Sequence, residues 1–363
     1  MKIAQIAPLA ESVPPKLYGG TERIVSYLTE ELVAQGHDVT LFASGDSITS
    51  ARLFRCTETA LRLNPDVRDA LPHQLLMLER VRQRAEAFDM LHFHTDLLQH
   101  SMLRTIKTPS VTTLHGRLDL PDLVPFYRAF PDVPLVSISD AQRAPMPPVR
   151  WARTIYHGLP RQLYRFSAAP TGGYLAFLGR ISPEKRPDRA IEIATRSGMP
   201  LKMAAKIDNV DLAYWKAEIE PLVRDNPLVE FVGEIGEPDK ADFLGGATAL
   251  LFPIDWPEPF GLVMIEAMAC GTPVIASRCG STPEVIDHGI SGFLVNDLDE
   301  AVAAVHLAER LDRREIRGVF ERRFSIERVA ADYLQVYMAL CGMDSLRVPQ
   351  PDELQTTAWR KGA

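Results

Sequence analysis

The chain alternates between short apolar runs and longer stretches in which apolar residues return every three or four positions. Residues 2–7 are an apolar run too short for a helix and read as a buried strand. Beyond a loop, Ile24, Val25, Leu28, Leu32 and Val33 recur at the helical period. Thr21 stands where it can cap that helix, and Gly36 supplies a left-handed stop. Residues 38–43 are again apolar and rich in β-formers. A strand, a helix and a second strand in this order make a βαβ unit, which implies a parallel sheet. Further strands are expected at 90–94, 110–115 and 135–139, with a helix over 71–87.

A second series of the same kind follows the Pro- and Arg-rich stretch 144–170. Strands are expected at 174–178, 201–206, 229–232, 249–253, 274–277 and 292–295. Helices are expected at 187–197, 239–246, 260–270 and 298–310. Two such series predict an α/β protein with two Rossmann-like domains, an N-terminal one over 1–168 and a C-terminal one over 169–322. An amphipathic helix within 323–342 is expected to return to the first domain, followed by a loose tail over 343–363.

Length changes this picture little: 363 residues suit two domains better than one core. Nothing resembles a signal h-region or a membrane span, so a cytoplasmic protein is expected. Cys56, Cys270, Cys279 and Cys341 show no paired spacing, which fits reduced thiols. The net charge of −7 is uneven: residues 1–165 are slightly basic, and the rest is acidic. Arg143, Arg150, Arg153, Arg161 and Arg165 lie in a segment without an acid. Such a segment reads as a solvated surface, or as a contact for anionic lipid or a charged acceptor. No nucleic-acid partner is expected.

Candidate chemistry gathers in the second series. The strand ending at Pro253 runs through a Pro-constrained loop into a helix expected from Phe260. The amides of Phe260, Gly261 and Leu262 would open that helix, where the backbone and the dipole favour an anion such as diphosphate. Glu258 precedes the helix and Glu266 lies within it, as acceptors for sugar hydroxyls. Arg180 and Lys185 follow the first strand of this series, at the sheet end where open α/β sheets bind ligands. Arg180 can fork onto a phosphate, and Lys185 can add a mobile charge. Gly19-Gly20 lets a substrate approach the first loop, but its spacing is not a dinucleotide fingerprint. Asp297-Leu298-Asp299 looks like a metal-binding triplet, yet here it is expected to begin a surface helix.

Taken in order, the motifs resemble the retaining glycosyltransferases of family 4. The resemblance runs from residue 1 to about 341. It includes Tyr18-Gly19-Gly20-Thr21-Glu22-Arg23, Thr113-Leu114-His115-Gly116, Ser137-Ile138-Ser139-Asp140, Tyr156-His157-Gly158 and Pro283-Glu284-Val285-Ile286. Glu258 and Glu266 match the family's E-x7-E acids, and Arg180 with Lys185 its basic pair. The resemblance implies the GT-B fold, two facing Rossmann-like domains with a cleft between them. It also implies a nucleoside-diphosphate-sugar donor and a glycan, lipid-linked or small-molecule acceptor.

By resemblance, Glu258 binds donor-sugar hydroxyls, Glu266 the ribose, and the amides of Phe260 to Leu262 the sugar and diphosphate. Arg180 and Lys185 neutralise the leaving diphosphate, so no metal and no other cofactor is expected. His115 matches a histidine that approaches the donor sugar from the first domain. Glu284 is expected to line the cleft, and the nucleobase to meet Glu234 and Ile235. Ser281 departs from a glycine common in the family. The competing readings are a GT-B protein that binds nucleotide sugar without transferring it, and a nucleotide-sugar epimerase.

Overall fold

The computed structural model describes residues 1–16, 19–62 and 64–343. Tyr18 of the first motif and the expected tail beyond Met343 lie outside the described residues. The chain forms two compact units, Met1–His157 together with the segment from Ile326, and Gly158–Ser325.

The first unit is built on seven strands: β1 (Lys2–Ile6), β2 (Asp38–Ser44), β3 (Arg52–Thr57), β4 (Met90–Phe93), β5 (Ser110–Thr113), β6 (Leu135–Ser137) and β7 (Trp151–Thr154). They form one parallel sheet in the order β3-β2-β1-β4-β5-β6-β7. Ile3 pairs with Val39 on one side and Met90 on the other. The central strands are buried on both faces, so they read as continuous apolar runs. The edge strands β3 and β7 escape that reading, because Arg52, Arg55 and Arg153 interrupt their apolar residues. The terminal helix Ile326–Leu340 buries Ile326, Val329, Ala330, Tyr333, Val336 and Tyr337 in one cluster with Ile3, Leu28 and Val111.

The first helix starts two residues earlier than expected, at Gly20, and Gly19 rather than Thr21 is its cap. Steric room decides this. A Cβ on Gly19 would sit 2.7 Å from Pro15 Cβ and 3.2 Å from the Glu22 carboxylate. The strand predicted over 110–115 ends at Thr113, which leaves His115 in the loop after β5.

The second unit holds β8 (Leu175–Arg180), β9 (Leu201–Lys206), β10 (Val229–Gly233), β11 (Ala249–Phe252), β12 (Val274–Ser277) and β13 (Gly292–Val295). These form a six-stranded parallel sheet in the order β10-β9-β8-β11-β12-β13. The chain moves outward from β8 to β10, then restarts beside β8 at β11. The β8–β11 junction is therefore a topological switch point, and the carboxyl ends of those two strands border a crevice.

The sequence places the domain boundary at 168, whereas the structure places it after His157. Residues 161–167 already pack within the second unit: the Ser167 amide donates to Cys270 O at 3.0 Å. The buried Arg313 donates to Ser167 O, Ala247 O and Gly245 O, each at 2.9 Å. Its helix, Arg313–Arg323, has no counterpart in the sequence reading, since five arginines and two glutamates mask its apolar face. Asp297 caps the helix Leu298–Ala308 by accepting from the Glu300 amide at 2.9 Å, as its surface position predicted. Among the described residues no helix is long and apolar enough to cross a membrane.

Candidate functional site

The switch point of the second unit collects most of the predicted residues. Arg180 ends β8, and Lys185 ends the short turn Pro183–Lys185 that follows it. From β11 the chain runs through Trp256, Pro257 and Glu258 into a helix that begins at Leu262, two residues later than expected. Gly261 causes the delay. It takes φ +77 at the helix cap, where a Cβ would lie 2.9 Å from Met264 Cε and 3.0 Å from the Phe252 ring. Only glycine combines that backbone with that space.

Glu258 and Glu266 are 9% and 4% exposed, so each needs a partner to remain charged. Lys185 Nζ donates to Glu258 Oε2, and Trp256 Nε1 donates to the same oxygen at 3.0 Å. The Lys185 ammonium also lies 5.2 Å from the Trp256 ring centre and 5.5 Å from that of Phe252. Glu266 accepts from Lys240 Nζ at 2.8 Å. Lys240 in turn faces Glu237 at 3.5 Å, and the Tyr164 hydroxyl donates to Glu237. The structure thus brings Lys185 to Glu258 directly, and supplies Glu266 with Lys240, a cation the sequence reading did not single out.

Arg180 is held otherwise than expected of a free phosphate fork. It donates to Glu184 Oε1 at 2.5 Å and pairs with Asp208 and Asp211 at 3.7 and 3.8 Å. A ligand anion has to compete with these carboxylates for it. Glu234 is exposed and Ile235 half-buried in the loop after β10. Glu284 lies on the turn Thr282–Val285, and its carbonyl accepts from Arg323.

Two further residues fix Glu258 from behind. Gly280 has φ +57, and a Cβ there would lie 2.4 Å from Glu258 N and 2.6 Å from Glu258 O. The Ser281 amide donates to Glu258 O at 3.0 Å, while its buried hydroxyl donates to Phe260 O at 2.9 Å. Ser281, the departure from the family pattern, is therefore absorbed by a hydrogen bond that clamps the loop ahead of the helix. The signal in sequence was the Gly280-Ser281 pair itself, but its contact partner lies more than twenty residues away.

In the first unit Gly19 and Gly20 open the first helix, and His115 belongs to a buried histidine cluster. His115 Nε2 lies 2.8 Å from His94 Nδ1, and His94 Nε2 lies 2.8 Å from Gln5 Oε1. His157 stacks on His115 at 5.2 Å between ring centres. Burial holds all four histidines, His92 included, below the usual range, and His115 falls to about 3. They are neutral at physiological pH. Three arginines of that segment face carboxylates of the unit each belongs to: Arg143 faces Asp140 at 3.9 Å, Arg153 faces Asp332 at 2.9 Å, and Arg165 faces Asp242 at 2.8 Å.

Two parallel-sheet units, the second with buried acids and a lysine at its switch point, make an α/β architecture of the GT-B class. The profile described as "Glycosyl transferases group 1" matches residues 164–323, and that of "Glycosyltransferase Family 4" matches residues 18–166. The chain belongs to this family of glycosyltransferases. It is 34% identical over 151 residues to the D-inositol 3-phosphate glycosyltransferase of Mycolicibacterium smegmatis, across 38% of this chain and 32% of that protein. The chain aligns with between about a third and a half of the length of such curated relatives. It is also 23% identical over 360 residues to the N-acetyl-alpha-D-glucosaminyl L-malate synthase of Bacillus anthracis, across 88% of this chain and 93% of the relative. Among solved structures, Anabaena HepE in complex with UDP shares the fold, with a TM-score of 0.69, 19% identity, and coverage of 92% and 99%.

Proposed function

We propose that this protein is a retaining, metal-independent glycosyltransferase that moves a hexose-type sugar from a nucleoside diphosphate to a hydroxyl acceptor. The observation that carries the reading is the Lys185–Glu258 pair at the switch point, clamped by Gly280 and Ser281 beside the N-terminus of Leu262–Cys270. In this structure these groups satisfy one another, Lys185 with Glu258 and Lys240 with Glu266. When a nucleotide sugar enters, its hydroxyls take over Glu258, its ribose takes Glu266, and Lys185 turns to the diphosphate. Arg180 leaves its carboxylates for the same anion.

Breaking the bond between the anomeric carbon and the phosphate builds negative charge on the departing oxygen. Fixed cations and the helix amides stabilise that charge most in the transition state. The new bond to the acceptor forms on the face the phosphate leaves, and the acceptor's proton passes to a departing phosphate oxygen. Sugar is transferred, nucleoside diphosphate is released, and no redox partner is required.

Relatives named for inositol 3-phosphate and L-malate favour a small anionic acceptor over a lipid-linked one. A role in the membrane for the arginine segment has less support, because Arg143, Arg153 and Arg165 already face carboxylates. The test is incubation with UDP-, GDP- and ADP-sugars in EDTA, following the anomeric proton by NMR. Turnover of one donor, with product of unchanged anomeric configuration, is expected. Inverted product, or turnover only after a divalent ion is added, would contradict the reading. Binding without any turnover would favour a donor-binding protein.

A further inference from the structure

Lys240 stands between two carboxylates, and the distances show which one it serves. Its ammonium donates to Glu266 Oε1 at 2.8 Å and lies 3.5 Å from Glu237 Oε2. Glu237 and Lys240 are three residues apart on the helix Glu237–Gly246, so they share a face. The Tyr164 hydroxyl donates to Glu237 and supplies part of what that acid needs. Glu237 is thus the anchor, and Glu266 the group acted on. The Glu266 side chain is 5% exposed and that of Lys240 16%, so the pair lies largely out of water. A carboxylate in such a place stays ionised only beside a cation that stays put. The lysine stem is flexible, and the contact with Glu237 removes much of that freedom.

An ionised carboxylate only accepts hydrogen bonds, whereas a protonated one turns one oxygen into a donor. With Lys240 on Oε1, accepting capacity remains on Oε2 and on the second lone pair of Oε1. A pair of neighbouring hydroxyls, such as the 2′ and 3′ hydroxyls of ribose, matches that capacity.

We propose that Lys240, anchored by Glu237 and Tyr164, is a positioning residue that fixes the Glu266 carboxylate as a double acceptor, so that the site selects ribonucleotides over forms lacking both ribose hydroxyls. This rests on the reading that Glu266 meets the ribose. Lys240 is assigned no contact with the ligand, and its effect passes through Glu266. The other charged or titratable groups around Glu266 are Asp242 on the helix of Lys240, Cys270 one turn further along its own helix, and Arg313 and Arg317. Burial first, and then the Glu266 charge, push the Cys270 thiol up to about 12, so it stays neutral near physiological pH.

The test is isothermal titration of UDP, GDP and ADP, and of the 2′,3′-dideoxy form of whichever binds, into the full chain and its Lys240 variants. The unaltered chain should bind the ribonucleotide at least roughly tenfold more tightly than the dideoxy form, the size of one hydrogen bond to a charged group. Lys240→Met should lose most of that preference near neutral pH and bind the dideoxy form as before. Lys240→Arg should keep the preference. Raising the pH from about 6 to about 9 should restore it in Lys240→Met, because a buried acid without its cation ionises only above the ordinary carboxylate range. A merely structural lysine gives no such recovery. An unchanged preference in Lys240→Met, an equal loss for both nucleotides, or a loss that persists at high pH overturns the positioning role. If Lys240→Met fails to fold, Lys240→Gln, which keeps a donor without the charge, decides by the same comparison. Failure of the ribose reading looks different: Glu266→Ala would then bind the ribonucleotide as tightly as the unaltered chain.

Discussion

Glu258 is held by its backbone as much as by its carboxylate. Lys185 and Trp256 donate to one oxygen, while Gly280 lies against its peptide so closely that no side chain fits there. Gly280→Ala should therefore move the acid without touching any ligand. Calorimetry with nucleotide sugar should show affinity falling at least about tenfold, equivalent to one lost hydrogen bond to a charged group. Gly289→Ala is the control: it shares a left-handed φ of +81, but its Cβ would meet nothing within 4 Å. It should cost about 1–2 kcal/mol of stability from strain and leave affinity alone. Equal affinity in Gly280→Ala and the unaltered protein would show that the clamp does not set Glu258. At this scale the acids and Lys185 were legible because their motif is local in sequence. Lys240 and Gly280 were not, since each acts on a residue brought near only by folding. Arg180 was legible as a cation but not as one tied to Glu184, Asp208 and Asp211.

Among the elements, the central strands and the amphipathic helices followed directly from the pattern of apolar positions. Residues 187–197 and 201–206 coincide with an observed helix and strand. Strands β3 and β7 were hidden because an edge strand needs only one apolar neighbour and can carry arginine. Helix starts were misjudged where a glycine, Gly19 or Gly261, caps in place of a polar side chain. The helix Ile326–Leu340 has the most at stake. It buries six apolar or aromatic side chains in the core of the first unit. Each is worth about 1.5–3 kcal/mol when it is a large side chain, so together they rival the stability of a whole domain. A chain ending at Ser325 should lose the cooperative melting of the first unit in calorimetry. An unchanged melting profile would mean that the helix is dispensable to that core.

For the molecule as a whole, the first unit closes with a segment that the chain supplies only after completing the second. The second boundary, after Ser325, was anticipated by the helix expected within 323–342, whereas the first lies after His157 and not at 168. The Arg- and Pro-rich stretch looks like a linker, yet residues 161–167 are built into the second unit through Cys270 and Arg313. The family and the GT-B class were legible, because several of the family's motifs appear together along both halves of the chain. What most directly tests the function is isothermal titration of UDP and GDP into the full chain with EDTA, and into Glu266→Ala. At least one nucleotide should bind the unaltered chain with equal affinity in EDTA and in magnesium. Glu266→Ala should bind it roughly 10- to 100-fold more weakly, the loss of a charged hydrogen bond to ribose. Binding that requires magnesium, or is equal in both chains, would contradict a donor site built on Glu266 and fixed cations.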